Sequence, residues 1–356
     1  MKIVIVGAGV AGLGIGWRLR QAGAEVVILE RGQPAMGATW ASAGMLAVTA
    51  ETDGAHPAEA DFARYSNSLW PDFTAELEQE SGRTIGFSRA GALMLAREPS
   101  IVAAMRARAE SEPGLAILDP DAARALVPLL SGDFAGALWA VDEGRVDNRA
   151  LGAALAAAFL RAGGTLITNE AVVRIGEEGG RAAFAETSYA RHHGDAILLA
   201  AGAWSHLVAE VLVTPVKGEM IALAPPPGAM VPDPVVWGEG IYAVPRQGRL
   251  LIGATVEEAG FDTSLTEAAR ESLRAKAVAA MPGLAGWTVA DHWAGLRPRA
   301  PDGLPLLGPV RLPGLFVAGG QYRNGILFAP AIARLMADVI LGRAEPIAAF
   351  DPRRFA

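Results

Sequence analysis

Three glycines and one carboxylate carry the first chemical signal in this chain. Gly7, Gly9 and Gly12 stand in G-x-G-x-x-G spacing directly after the apolar run Ile3-Val4-Ile5-Val6. In that setting the first glycine permits a tight turn, the second lets backbone approach a pyrophosphate, and the third lets a helix sit close to the strand. Val10 and Ala11 open that helix, whose N-terminal N–H groups and dipole favour a negatively charged ligand. Ala24–Leu29 reads as a second strand ending on Glu30, where a carboxylate can accept hydrogen bonds from both hydroxyls of a ribose. Glu30 repels a 2′-phosphate and so disfavours NADP, an inference that Arg31 beside it weakens. The unit predicts a bound dinucleotide and leaves NAD and FAD open.

The remaining chemistry-bearing residue types are sparse. The chain has no cysteine, which removes disulfides, thiolate metal sites, a cysteine nucleophile and a flavin tethered through sulfur. Its five histidines show no metal-ligand spacing, and His192-His193 reads as part of a surface turn. No metal is expected. The net charge of −7 argues against nucleic acid and anionic membranes as partners. No apolar run is long enough to span a bilayer. The apolar N-terminus contains the glycine fingerprint and reads as mature protein rather than a signal peptide, so cytoplasm is the expected compartment.

At 356 residues, half of them hydrophobic, the chain is long enough for two domains. After the first unit, 31–50 reads as an irregular loop or a short buried helix. Helices are expected over 60–81, 101–110, 119–126 (with Asp119 as N-cap before Pro120), 148–162 and 265–281. Strands are expected at 91–96, 165–168 and 195–200, then as an antiparallel set at 216–223, 240–245 and 249–254. A buried strand, 315–318, feeds Gly319-Gly320, and Gly325 is expected to open a closing helix reaching Leu341. Nucleotide-type segments thus come at the start, middle and end, with antiparallel material between. The predicted fold is α/β: a Rossmann-like domain from 1–50, 142–210 and 292–350, and a discontinuous α+β substrate domain on an antiparallel sheet from 51–141 and 211–291.

Several segments then point one way. Gly37-Ala-Thr-Trp-Ala-Ser-Ala-Gly-Met-Leu46, Pro215-Val-Lys-Gly-Glu219, Tyr242-Ala-Val-Pro-Arg246, Trp293-Ala-Gly-Leu-Arg-Pro298 and Tyr322-Arg-Asn-Gly-Ile-Leu327 follow one another in a familiar order. With them the chain resembles the D-amino acid oxidase superfamily of FAD-dependent amine oxidoreductases, within it the glycine oxidase type. The resemblance implies non-covalent FAD. It extends the cofactor set from Gly7, Gly9, Val10, Ala11, Gly12, Glu30 and Arg31 to Thr39, Ser42, Gly44, Met45, Leu46, Val172 and Gly202. It adds Arg297, Arg323, Asn324, Gly325, Ile326 and Leu327, the last three through backbone beside the flavin.

For a substrate, Arg297 is the outstanding residue. A planar, bidentate cation suits an amino acid carboxylate, and this one lies in an otherwise apolar stretch where an unpaired charge is awkward. The resemblance implies that Tyr242 hydrogen-bonds the same carboxylate and that the Arg323 carbonyl approaches the amine. Departures from the family pattern at Gly240, Val256 and Gln321-Tyr322 leave the preferred amine open. The expected reaction is oxidation of a small α-amino acid or amine to an imine, with oxygen as acceptor and peroxide as product, in a role in thiamine biosynthesis. The alternatives are a flavin dehydrogenase passing electrons to another acceptor, an NAD-dependent dehydrogenase and a non-catalytic flavin scaffold. A homo-oligomer is compatible with the sequence.

Overall fold

A computed structural model describes residues 1–51, 54–130 and 133–355. The Lys2–Val6 strand, whose last four residues are fully buried, sits in the middle of a six-stranded sheet. Glu25–Leu29 and Thr165–Ile167 extend the sheet on one side; Ala196–Leu199, Leu315–Gly319 and Leu306–Pro309 extend it on the other. All pairings are parallel except the last. Continuous apolar runs such as IVIV and AILL form such strands because both sheet faces are covered.

One face is covered by helix Val10–Gln21, which packs against helices Asn148–Arg161 and Ala329–Ile340. Gly12 makes the close approach possible, since a Cβ there would lie under 3.0 Å from the Gly7 carbonyl oxygen. The helix Pro57–Ser81 crosses the same two partner helices and buries Phe62, Trp70, Phe73 and Leu77 in their shared core. Apolar spacing reveals that helix, but not that it belongs to the nucleotide-binding layer.

The second large element is an eight-stranded sheet, in order Thr288–Arg299, Thr214–Ala224, Arg249–Gly253, Ile241–Arg246, Val235–Gly238, Ala92–Ala96, Gly136–Ala140 and Leu115–Leu118. Helix Glu267–Ala280, capped by the Thr266 hydroxyl on the Ala269 N–H, covers one face and closes a second core with Leu273, Ala277 and Trp287. The boundary expected at 291/292 falls inside the twelve-residue strand Thr288–Arg299. That strand pairs along its length with Thr214–Ala224 and belongs to the antiparallel sheet.

Two local expectations are corrected. The closing helix begins at Ala329 rather than Gly325, because Pro330 lies in its first turn and residues 325–328 form a separate turn, with the Phe328 N–H on the Asn324 carbonyl. His192-His193 is in the strand Arg191–His193 rather than a turn; His192 Nε2 lies 2.8 Å from Glu170. Asp119 caps its helix as expected, accepting from the Ala122 N–H at 2.8 Å. Between Arg31 and Ala50 the chain holds a four-residue helix, Ala38–Ala41, and a short strand, Met45–Leu46. Among the described residues no helix is long and apolar enough to cross a membrane, and no acidic, histidine or cysteine cluster could hold a metal.

Candidate functional site

The carboxyl ends of the parallel strands open onto one cavity of about 610 Å³, where an open α/β sheet binds its ligand. Gly7, Gly9, Val10 and Ala11 line one end of it with Glu30 and Arg31. The Glu30 carboxylate is fixed by the N–H groups of Ala8, at 2.8 Å, and Gly32, at 2.9 Å. The N–H of Val10 donates to the Thr39 hydroxyl at 3.0 Å, tying the helix start to the next loop. The Gly9 N–H has no acceptor among the described residues. Val172 and Gly202 also line the cavity, and so does Trp204, which the sequence did not single out. The Arg31 guanidinium lies 3.5 Å from the Trp204 ring centroid. Burial lowers the Arg31 pKa, against the opposing pull of Glu30. Gly12 and Leu46 are not part of the lining: Gly12 acts at the helix–strand contact, and Leu46 is buried in a short pairing with Gly144.

The next wall is the loop from Thr39 to Met45, which places Thr39, Ser42, Gly44 and Met45 on the cavity. Its carbonyls are held one after another. Asn148 Nδ2 donates to the carbonyls of Thr39, at 2.5 Å, and Trp40, at 3.0 Å; Trp293 Nε1 donates to Ala41 at 2.9 Å. Arg246 donates to the Ala43 carbonyl at 2.8 Å and to Asn148 Oδ1. Burial pulls the Arg246 pKa down to about 10, although Asp147 works to raise it. Arg149 stacks on Trp40, 3.7 Å from its ring centroid. A loop with this many fixed carbonyls holds its shape without help from a ligand.

Across the cavity lies the turn after the last parallel strand, with Gln321, Tyr322, Arg323, Asn324, Gly325, Ile326 and Leu327 in the lining. The Leu327 carbonyl accepts from Ser66 Oγ at 2.7 Å and Trp70 Nε1 at 3.1 Å, anchoring the turn to helix Pro57–Ser81. The N–H groups of Gly325, Ile326 and Leu327 have no acceptor among the described residues. Donors without acceptors on a cavity wall favour an electron-rich ligand edge, the role first expected of a helix N-terminus. Buried Asn324 donates to Glu59 at 3.0 Å, and Glu59's pKa is raised by burial, which that hydrogen bond opposes. Arg323 is exposed at the rim, with its guanidinium 5.6 Å from the Tyr322 ring centroid.

The eight-stranded sheet contributes the polar groups that close the cavity. Arg297 lies on the strand Thr288–Arg299 opposite Val216, and its guanidinium crosses diagonally over Gly218 of the neighbouring strand. Nη1 donates to the carbonyls of Lys217, at 3.3 Å, and Thr255, at 3.2 Å. No carboxylate pairs with it among the described residues. Tyr242 stands opposite Gly253 and lies over it; its hydroxyl donates to Met220 Sδ at 3.7 Å. Gln321 and Tyr322 share this end of the cavity, whereas Gly240 and Val256 are not in its lining. Of the four departures noted in the sequence, two therefore bear on the pocket.

The residues present fit FAD. Glu30 and the Gly7–Gly9 turn suit the adenosine and pyrophosphate, and the apolar Ala43–Met45 wall and the unsatisfied N–H groups of 325–327 suit the flavin. Replacing Glu30 by Ala is expected to cost about 1.5–3 kcal/mol of FAD binding, roughly 10- to 100-fold in Kd, read by equilibrium dialysis. An unchanged Kd would remove the ribose from this carboxylate.

Comparison with known proteins agrees with this geometry. A family model described as FAD dependent oxidoreductase matches residues 2–339. The glycine oxidase of Pseudomonas aeruginosa is 37% identical over 363 residues, covering 100% of this chain and 98% of that protein. The bifunctional protein ThiO/ThiG of a Synechocystis species is 35% identical over 99% of this chain, which spans 54% of its length. The crystal structure of glycine oxidase from Geobacillus kaustophilus matches with a TM-score of 0.92 and 32% identity, covering 99% of this chain and 98% of that one. The chain belongs to the FAD-dependent oxidoreductase family of the D-amino acid oxidase type and is an amine oxidoreductase with FAD as its cofactor.

Proposed function

We propose that the protein oxidises glycine or another small α-amino acid or amine, such as sarcosine or a small D-amino acid, with oxygen as the terminal acceptor. The observation that carries this reading is Arg297. A guanidinium on a cavity wall, held by two carbonyls and facing no carboxylate among the described residues, is a receptor for the carboxylate of a ligand. The similarity to glycine oxidases supports a small substrate. The resemblance to a ThiO/ThiG protein supports a supply role in thiamine biosynthesis.

FAD, when bound, accepts the hydride from the substrate's α-carbon. The protein's part is placement. Arg297 takes the carboxylate and Tyr242 stands beside it, so one α-hydrogen is presented in a fixed direction. The cavity lining holds no histidine, and its one carboxylate among the described residues, Glu30, is occupied by two N–H groups. No side chain is therefore placed as a carboxylate or imidazole base, and the substrate binds as the neutral amine. Loss of hydride from carbon and a proton from nitrogen gives the imine. Water then hydrolyses it to the 2-oxo acid and ammonia, or an amine from an N-alkylated substrate, while oxygen leaves as hydrogen peroxide.

Anaerobic mixing with glycine, sarcosine, D-alanine, D-proline and bulkier D-amino acids tests this directly. The small amines are expected to bleach the flavin fully, faster at higher pH as free amine accumulates, and to release peroxide when air is admitted. Bleaching by bulky substrates alone would refute the small-substrate assignment. Bleaching without peroxide in air would make the protein a dehydrogenase with another acceptor.

A further inference from the structure

Behind Arg297 lies a cluster of charged residues that the reaction does not use. Lys217 and Glu219 are 2% and 0% exposed and form an ion pair of 3.0 Å. Glu257, half-exposed, lies 3.5 Å from the same ammonium. Burial works against both buried charges. Glu219 and Glu257 outweigh it for Lys217, whose pKa is raised, and the Thr266 N–H, Lys217 and the Thr266 hydroxyl outweigh it for Glu219, whose pKa is lowered. Buried pairs of this kind often add little net stability. Their placement here suggests another use.

Both acceptors of Arg297 belong to this cluster. One is the carbonyl of Lys217 itself; the other is the carbonyl of Thr255. Thr255 lies just past the regular sheet: the ladder between Thr214–Ala224 and Arg249–Gly253 ends at the Met220–Gly253 pair. Beyond it the Thr255 N–H donates to the Glu219 carbonyl at 3.1 Å, and Lys217 and Glu257 exchange two backbone hydrogen bonds across an isolated bridge. Side chains reinforce these backbone ties. The Glu219 N–H donates to Thr255 Oγ1 at 2.8 Å, and that hydroxyl donates to Glu257 Oε1 at 2.7 Å. Lys217 spans Glu219 and Glu257. Glu219 also receives the Thr266 N–H and hydroxyl, and His292 of Arg297's own strand lies 2.7 Å from it.

We propose that Lys217 and Glu219 are positioning residues for the substrate carboxylate: their ion pair braces, from behind, the two backbone carbonyls that aim the Arg297 guanidinium into the cavity. This rests on the reading of Arg297 as the carboxylate receptor. Without the pair, the 255–257 segment keeps its backbone hydrogen bonds to the strand but loses the ammonium that bridges Glu219 and Glu257, so the two carbonyls are less closely held and the guanidinium samples directions that do not meet the ligand. Flavin contacts are untouched, because neither side chain lines the cavity.

The test uses the FAD-loaded protein and glycolate, a carboxylate of glycine's size with no amine to oxidise, titrated by its perturbation of flavin absorbance. Four proteins are compared: wild type, Arg297→Met, Lys217→Met/Glu219→Gln, which removes both buried charges together, and Lys217→Arg. The double variant is expected to bind glycolate about ten-fold more weakly or worse and to carry its loss in KM more than in kcat, with Lys217→Arg recovering most of the affinity. A folded, FAD-loaded double variant with wild-type glycolate affinity overturns the proposal. If the double variant does not fold, Glu257→Gln at the half-exposed end of the cluster serves instead; about three-fold weaker binding supports the proposal and unchanged binding overturns it. Wild-type glycolate affinity in Arg297→Met would overturn the carboxylate reading itself. Loss there with none in the cluster variants overturns only the positioning role.

Discussion

Arg297→Met is expected to lower kcat/KM by about 3 kcal/mol or more, on the order of 10²-fold at least, with FAD still bound. Methionine keeps much of the side chain's length and apolar bulk, so the strand Thr288–Arg299 and its pairing survive. The charge and the planar donors do not. Most of the loss is expected in KM, because the carboxylate contact exists before the chemical step. A smaller fall in kcat follows because an unanchored substrate presents its α-hydrogen less often. Steady-state kinetics with the best small amine, alongside the FAD content of the purified variant, measures both. Unchanged turnover would show that Arg297 is not the substrate-binding cation.

The second large effect comes from a residue with no functional group. A Cβ on Gly218 would stand under 3.0 Å from Nη1, Nη2 and Cζ of Arg297. The obstructed atoms are the end of a long, flexible side chain, so the protein can relieve the clash by moving the guanidinium. Folding therefore survives Gly218→Ala with a change within about 1 kcal/mol. The relief takes the cation away from the Lys217 and Thr255 carbonyls, and substrate affinity is expected to fall roughly 10- to 100-fold. Introducing the same alanine into Arg297→Met should add almost nothing, since the two changes act on one group; that double-mutant cycle distinguishes displacement of arginine from general damage to the sheet. Additive losses would place the effect of Gly218 elsewhere.

The two predictions also mark where sequence reading reached and where it stopped. Arg297 was legible because a charge between Leu296 and Pro298, in a run otherwise apolar, asks for a partner that the local sequence does not offer. The dinucleotide unit was legible because strand, glycine turn, helix and Glu30 are contiguous, so local rules suffice. Gly218 and Gly253 were not legible as parts of the site. Their importance depends on cross-strand register, which pairs Gly218 with Gly295 and Gly253 with Tyr242, and no periodicity within either strand reports it. The stack of Arg31 on Trp204 has the same origin, since the two residues follow different parallel strands and meet only across the crevice. Gly325 has the look of a helix start, but the closing helix begins four residues later, at Ala329, where Pro330 fits its first turn. A turn rather than a helix end therefore presents the N–H groups of 325–327, which have no acceptor among the described residues.

Arg297 and Tyr242 share one more property. Each lies across a glycine of an adjacent strand, so the floor beneath the two polar groups is bare backbone. The depth of the pocket is then adjustable from its underside. A methyl group added below the phenol at Gly253 would lift the ring toward the ligand, and the residue that set the new substrate limit would never touch a substrate. Selection for a larger or smaller amine can in that way act through Gly253, which does not itself line the cavity.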